Sequence, residues 1–311
     1  MQGAGNEPPP ADDPVALQKK IEKFKKRLTE NLQRSEKLKS LSQWTKEWLS
    51  ERKNLLTASN FGEVCKRNPT TSCRRFVFDK MYNEKKNNKT KQMKHGLKNE
   101  SIAKDQLRSE GYDIKECGLF IDEEMPFLGA SPNGLIGNDS IVEITCPFTA
   151  YESQSTLQAI ENKQIPYLEI KNQGNVKQVK LKRDSARYYQ IQGQLHITKR
   201  QKCYFVVFTK HWKHVEEIER DDEFWENHMR NQLKSFYEEA LLPEMALPRY
   251  KYRKNKQDIR ESPSVLTARK DEEKRKREEA DKRKKESEER REKSKRKKES
   301  EERREKSKRK K

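Results

Sequence analysis

Beyond Leu266 the only apolar side chains are Ala268 and Ala280, scattered among charged and polar residues that run to Lys311. A stretch without apolar surface cannot contribute a core, because burying such surface is the main force that offsets chain entropy. The stretch is also repetitive: KRKKESEERREKS spans 282–294, recurs unchanged at 295–307, and begins a third time at Lys308. Glutamates precede cations by four residues (Glu289 and Lys293, Glu292 and Arg296, Glu302 and Lys306), a spacing that favours a solvated helix. There is no apolar seam for a coiled coil. A single fluctuating helix or charged disorder is therefore expected over 249–311, and whatever folds must lie upstream.

Charge is distributed just as unevenly. The 311 residues hold 71 Lys plus Arg against 51 Asp plus Glu, a formal net charge of +20. From Arg249 onward there are 30 basic and 16 acidic residues, which leaves 41 against 35 for residues 1–248. A basic chain attracts nucleic acid by counterion release, but here the excess belongs mostly to the tail and does not assign DNA to the folded part. No run of about 18 apolar residues exists, and MQGAGNEPPPADDP lacks the basic-then-apolar order of a signal peptide. A soluble, intracellular protein with no membrane partner is expected. Lys274–Arg277 and Lys282–Lys285 would suit nuclear import. Cys65, Cys73, Cys117, Cys146 and Cys203 form no CxxC pair and are odd in number, so neither a disulfide framework nor a zinc ribbon is indicated; buried thiols are expected.

Residues 1–14, with Pro8, Pro9, Pro10 and Pro14, read as disordered. Leu17, Ile21, Phe24, Leu28 and Leu32 then recur at helical steps and predict an amphipathic helix over 15–40, either packed on the core or paired in a coiled coil. The apolar content of 41–248 predicts the folded domain. Trp44, Trp48 and Leu49 suggest one helical face, Phe76 to Tyr82 a second helix, and Gly96 to Leu107 a third. Short strands follow at 118–121 and 127–130, then a hairpin of Gly134–Ile136 and Ile141–Ile144 about Gly137-Asn138-Asp139. Further on come a helix over 150–162, a lysine-rich hairpin about Asn172 to Asn175, and a helix over 186–197. A strand at Cys203–Phe208 and a closing helix over 224–242 complete an α/β fold.

Ser131-Pro132-Asn133-Gly134 stands ten residues before Glu143-Ile144-Thr145-Cys146-Pro147. A polar residue after a turn and an acidic one on the next strand would set two oxygen ligands side by side, as hard divalent cations require. A hairpin with polar ends has the same spacing, so both readings stand on spacing alone.

Together with its neighbours this stretch resembles the YqaJ-type viral recombinase family, to which bacteriophage lambda exonuclease belongs, within the PD-(D/E)XK nuclease superfamily. The matching pieces are Trp48 with Arg52, Leu56-Thr57-Ala58-Ser59, and His95-Gly96 with Glu100. They continue with Phe127 to Ile136, Val142 to Pro147, Tyr189 to Leu195, and Phe224-Trp225 through Leu242-Pro243-Glu244. The resemblance implies a restriction-endonuclease-like mixed sheet flanked by helices and a Mg²⁺- or Mn²⁺-dependent exonuclease acting on double-stranded DNA ends in recombination or repair. It also implies a trimeric ring. The family's first acidic position falls on Asn133 and its second on Glu143, with the Ile144 carbonyl completing the metal shell and the family lysine falling on Thr145. Glu100 corresponds to a carboxylate supporting a second metal, Gln190 to a glutamine behind the site, and Arg52 and Ser59 to the receptors of the 5′-terminal phosphate.

Asn133 and Thr145 both depart from the pattern where chemistry is done. Asparagine can ligate but is neutral, and threonine brings no positive charge. Three expectations result. The first is a DNA-end-binding protein with impaired or absent cleavage. The second is an active nuclease in which another lysine (Lys98, Lys104, Lys171, Lys177, Lys180 or Lys182) has taken over. The third is an interaction protein, working through its N-terminal helix and tail, whose nuclease core is a relic.

Overall fold

The computed structural model describes residues 13–33, 35–83, 90–173 and 176–308. The segment expected to be disordered, 1–14, lies outside the described residues through residue 12, as do the turn of the lysine-rich hairpin and the end of the tail. The chain divides into two units, Met1–Asn68 with Ser72–Ser262, and Pro69–Thr71 with Pro263–Lys311.

The first unit opens with helices α1 (Pro14–Gln33), α2 (Ser35–Lys39) and α3 (Lys46–Lys53), then strand β1 (Leu56–Thr57) and a 3₁₀ turn at Ala58–Asn60. Helices α4 (Phe61–Cys65), α5 (Arg74–Met81) and α6 (Lys91–Ser109) follow, and then strands β2 (Ile114–Lys115), β3 (Phe120–Ile121), β4 (Leu128–Ala130), β5 (Gly134–Ile136) and β6 (Ser140–Thr145). Helix α7 (Thr156–Glu161), the hairpin β7 (Leu168–Gln173) and β8 (Val176–Leu181), helix α8 (Ala186–Thr198) and strands β9 (Lys202–Phe208) and β10 (Lys213–Glu219) complete the sheet region. A helical run over 222–246 closes the core, with π-helical stretches at Trp225–Arg230 and Tyr237–Leu241.

The main sheet has the order β10-β9-β6-β5-β2, with β6 and β9 parallel and the other pairs antiparallel. This is the expected mixed sheet flanked by helices. Parallel neighbours need a crossover, and here the connection from β6 to β9 carries α8. A smaller sheet, β1-β4-β3, includes Leu56 and Thr57 paired in parallel with Leu128 and Gly129.

Two expectations change. The helix over 150–162 is broken into a 3₁₀ turn, Phe148–Ala150, and α7, because the Ser155 hydroxyl accepts from the Gln158 N–H and starts a new helix there. Trp44 lies outside α3, which Thr45 caps; it has φ of 70° and is 41 % exposed, whereas Trp48 is buried. Strand β10 was not foreseen, since Val215 and Ile218 are its only apolar residues.

Two glycines fix the distance of α8 from its neighbours. A Cβ on Gly62 of α4 would stand 2.4 Å from the Cα of Ala186, and one on Gly193 would stand 2.3 Å from the Phe61 ring. Helix α8 thus sits against α4 closely enough that a methyl group does not fit.

In the second unit, the helix Pro263–Lys308 spans 46 residues. Its charges pair one turn apart, as in Glu272 with Lys276 (2.6 Å) and Glu292 with Arg296 (3.2 Å).

Gly62→Ala is expected to destabilise the protein by about 1–3 kcal/mol through overpacking, read by urea denaturation. Gly96→Ala is the control: its Cβ meets nothing within 4 Å and should be neutral or stabilising by up to about 1 kcal/mol, because glycine is a poor residue inside a helix. Equal effects of the two substitutions would contradict the close α4–α8 packing.

Candidate functional site

The β5–β6 hairpin pairs Gly134 with Val142 and Leu135 with Ile141. Asn133 adds one more rung: its N–H donates to the Val142 carbonyl (3.0 Å), and its side-chain Oδ1 accepts from the Ile144 N–H (2.7 Å). Alternation along β6 sends Val142 and Ile144 into a core cluster with Ala103 and Leu107 of α6. Glu143 and Thr145 take the opposite face, toward α8.

Glu143 is 6 % exposed. Gln190 and Gln194, one turn apart on α8 and so on one helical face, donate from Nε2 to its Oε1 (2.7 Å) and Oε2 (2.8 Å). Burial pushes the Glu143 carboxyl up to about 7; Gln194, Arg187 and Gln190 act against the rise, while Glu100 adds to it. Arg187 precedes Gln190 by three residues. It donates from Nη1 to Gln190 Oε1 (3.2 Å) and from Nη2 to Thr145 Oγ1 (3.3 Å).

A second group of side chains meets the same hairpin from α3. The Arg52 guanidinium lies 4.2 Å over the Trp48 ring, the i, i+4 spacing placing one above the other. Arg52 Nη2 donates to Thr57 Oγ1 (3.4 Å), which is 3.3 Å from the exposed Ser59 hydroxyl. Trp48 Nε1 donates to Ser131 Oγ (3.2 Å) and ties this group to the turn that holds Asn133. Burial pulls Arg52 down to about 10, with Glu143 opposing, so the guanidinium is charged at neutral pH.

Glu100, on α6, acts on Glu143 through space, but it is committed elsewhere. Lys104 Nζ stands 3.1 Å from Glu100 and 2.9 Å from Glu116. These three border a cavity of about 340 Å³, which Gln43, Trp44 and Cys117 also line.

The structure thus brings together Asn133, Glu143, Ile144, Thr145 and Gln190 around one hairpin, with Arg52 beside Glu143 and Ser59 linked through Thr57. Glu100 is near but ion-paired. Of the lysines considered as replacements, Lys104 lies against Glu100, with its charge shared between two carboxylates. Arg187 and Gln194 were missed. Their only signal was spacing, at minus three and plus four from Gln190 on one helix.

A hard divalent cation wants several anionic oxygens. Here Asn133 is neutral and bonded to the Ile144 N–H, the Glu143 oxygens each accept from an amide, Glu100 is paired with Lys104, and Arg187 adds a cation. These residues do not fit the Mg²⁺ or Mn²⁺ centre that the resemblance implies. Among the described residues no group of three or more His, Cys, Asp or Glu side chains is arranged to hold a metal ion.

On the mixed sheet, then, a buried glutamate bonded to two glutamines stands near two arginines. Residues 47–201 match the YqaJ-like viral recombinase domain, and the chain belongs to that family. Among solved structures it is similar to an alkaline exonuclease from Laribacter hongkongensis (22 % identity over 65 % of this chain and 94 % of that one, TM-score 0.48). The dAMP complex of that exonuclease matches at 23 % identity with the same coverage and TM-score. A phage-related exonuclease from Haemophilus somnus 129PT matches at 14 % identity over 63 % of this chain and 93 % of that one, with a TM-score of 0.37. No curated protein matches the chain. Among the described residues no helix is long and apolar enough to cross a membrane.

The raised Glu143 value makes stability depend on pH. The folded protein holds this proton up to about pH 7, whereas an unfolded chain releases it near its ordinary value of about 4.3. Stability from this group is therefore complete at low pH and lost as pH rises through 7. Relative to Glu143→Gln, the unmodified protein should lose on the order of 3 kcal/mol between pH 5 and pH 8, measured by denaturation at each pH. A gain over that range would contradict the burial of the carboxylate.

Proposed function

We propose that this chain is a nuclease-fold DNA-processing protein that binds the ends of double-stranded DNA and has little or no cleavage activity. The observation that carries the reading is the Arg52–Thr57–Ser59 group, which is intact and charged beside a Glu143 site whose metal and lysine positions are Asn133 and Thr145. A guanidinium and adjacent hydroxyls suit a terminal phosphate, which offers several charged acceptor oxygens.

The loss of cleavage follows from what the hairpin lacks. Thr145 cannot supply a positive charge, and a positioned proton-transfer group contributes roughly 10²- to 10⁴-fold in rate. Lys104 is no free substitute, because two carboxylates share it. In the same proposal residues 41–248 form the DNA-binding body, and the tail adds salt-sensitive, sequence-independent affinity. A nuclear location rests on the basic clusters of the tail, and a homotrimer on the family resemblance.

The test uses the full chain with 5′-phosphorylated and 5′-hydroxyl duplexes in Mg²⁺. The unmodified protein should bind the phosphorylated end more tightly, Arg52→Gln should remove that preference, and no digestion should be seen. The double variant Asn133→Asp, Thr145→Lys should digest DNA at least about 100-fold faster than the unmodified protein. Digestion by the unmodified protein at a rate matching the double variant would overturn the reading, as would equal binding of both duplexes.

A further inference from the structure

Arg52 and Arg187 both act on Glu143, yet neither forms an ion pair within 4.0 Å among the described residues. Arg187 donates only to the neutral oxygens of Gln190 and Thr145, and Arg52 to the Thr57 hydroxyl while resting on Trp48. Four other arginines of this unit, Arg74, Arg108, Arg220 and Arg230, each meet a carboxylate within that distance, while Arg200 donates to backbone carbonyls. Tyr167 adds a second, independent observation. Its ring lies 6.0 Å from the Arg187 guanidinium, and its buried hydroxyl faces the Thr145 hydroxyl without closing a hydrogen bond within 3.5 Å to it or to any other of the described residues. A buried donor with nothing to donate to is costly and calls for a ligand or another explanation.

We propose that Arg187, with the hydroxyls of Thr145 and Tyr167, forms a docking site for a nucleic-acid phosphodiester that holds the phosphate directly, with no bridging cation. The inference deepens the DNA-binding reading and rests on it for the identity of the ligand. A phosphodiester shares one negative charge between two non-bridging oxygens, so it can accept from the Arg187 guanidinium and from a hydroxyl together. A divalent cation at the same place would meet one guanidinium from α8 and another from α3. The short Thr145 side chain accepts a hydrogen bond from Arg187, which brings a cation next to the residue on which the family lysine falls.

The probe is the 5′-phosphorylated tetranucleotide p(dT)4, titrated into the full chain by calorimetry in EDTA and again in Mg²⁺. The unmodified protein should bind it equally well in both. Arg187→Gln should weaken binding by at least about tenfold, the size expected for a hydrogen bond to a charged group, and Arg187→Lys should recover part of the loss. Tyr167→Phe should also weaken binding while melting at the same temperature as the unmodified protein or higher, which a purely structural tyrosine would not do. Binding that requires Mg²⁺, or Arg187→Gln binding as tightly as the unmodified protein, overturns the inference. If p(dT)4 binds through Arg187 in EDTA while duplex ends do not bind, the phosphate site stands and the end-binding reading falls. If duplex ends bind and Arg187→Gln changes nothing, the inference alone falls.

Discussion

One carboxylate and two amides hold the functional face of this protein in place. Glu143 is buried on a central strand, and burying a charge without partners would cost far more than it could return. Gln190 and Gln194 supply those partners from consecutive turns of α8, so the strand and the helix are registered against each other at two points. The helix can take that position only because Gly62 and Gly193 let α4 come close. Once α8 is fixed, Arg187 falls beside Thr145. Packing at the glycines and polar chemistry at the carboxylate therefore belong to one constraint.

The two departures from the family pattern leave the formal charge of the site unchanged. Replacing an aspartate by Asn133 removes one negative charge, and replacing a lysine by Thr145 removes one positive charge, so the sum of those two changes is zero. Beside them, Lys104 pairs with Glu100, and Arg187 donates to Thr145 with no carboxylate partner within 4.0 Å among the described residues. Where the resemblance implies a cation site, Arg52 and Arg187 both act on Glu143 and Lys104 is paired with Glu100. Lys104 and Arg187 lie outside the motif.

The hairpin was legible in the sequence because it is local. Alternation along 134–136 and 141–144, a glycine at the turn and a polar pair at the strand ends fix both the register and the face on which Glu143 emerges. Gln190, which donates to Glu143, was singled out only by the family resemblance. Arg187 and Gln194 lie on the same helix but became meaningful only when the face of α8 was known, and no spacing within the helix gives that. The pairing of Lys104 with Glu116 links a helix to a loop beyond it and had no signal in either segment. Strand β10 was hidden for another reason: as an edge strand it is rich in charge, which protects edges from pairing with other chains, and its place beside β9 is decided by tertiary contact.

The repeat in the terminal helix has a geometric consequence of its own. At 3.6 residues per turn, thirteen residues advance the helix by about 220° beyond three full turns, so each copy of KRKKESEERREKS presents its pattern on a different side from the last. No face of the helix Pro263–Lys308 accumulates one kind of charge. Adding or deleting a copy would change its length by about 20 Å while leaving it without a preferred side. Copy number in such a helix sets reach and leaves direction unspecified.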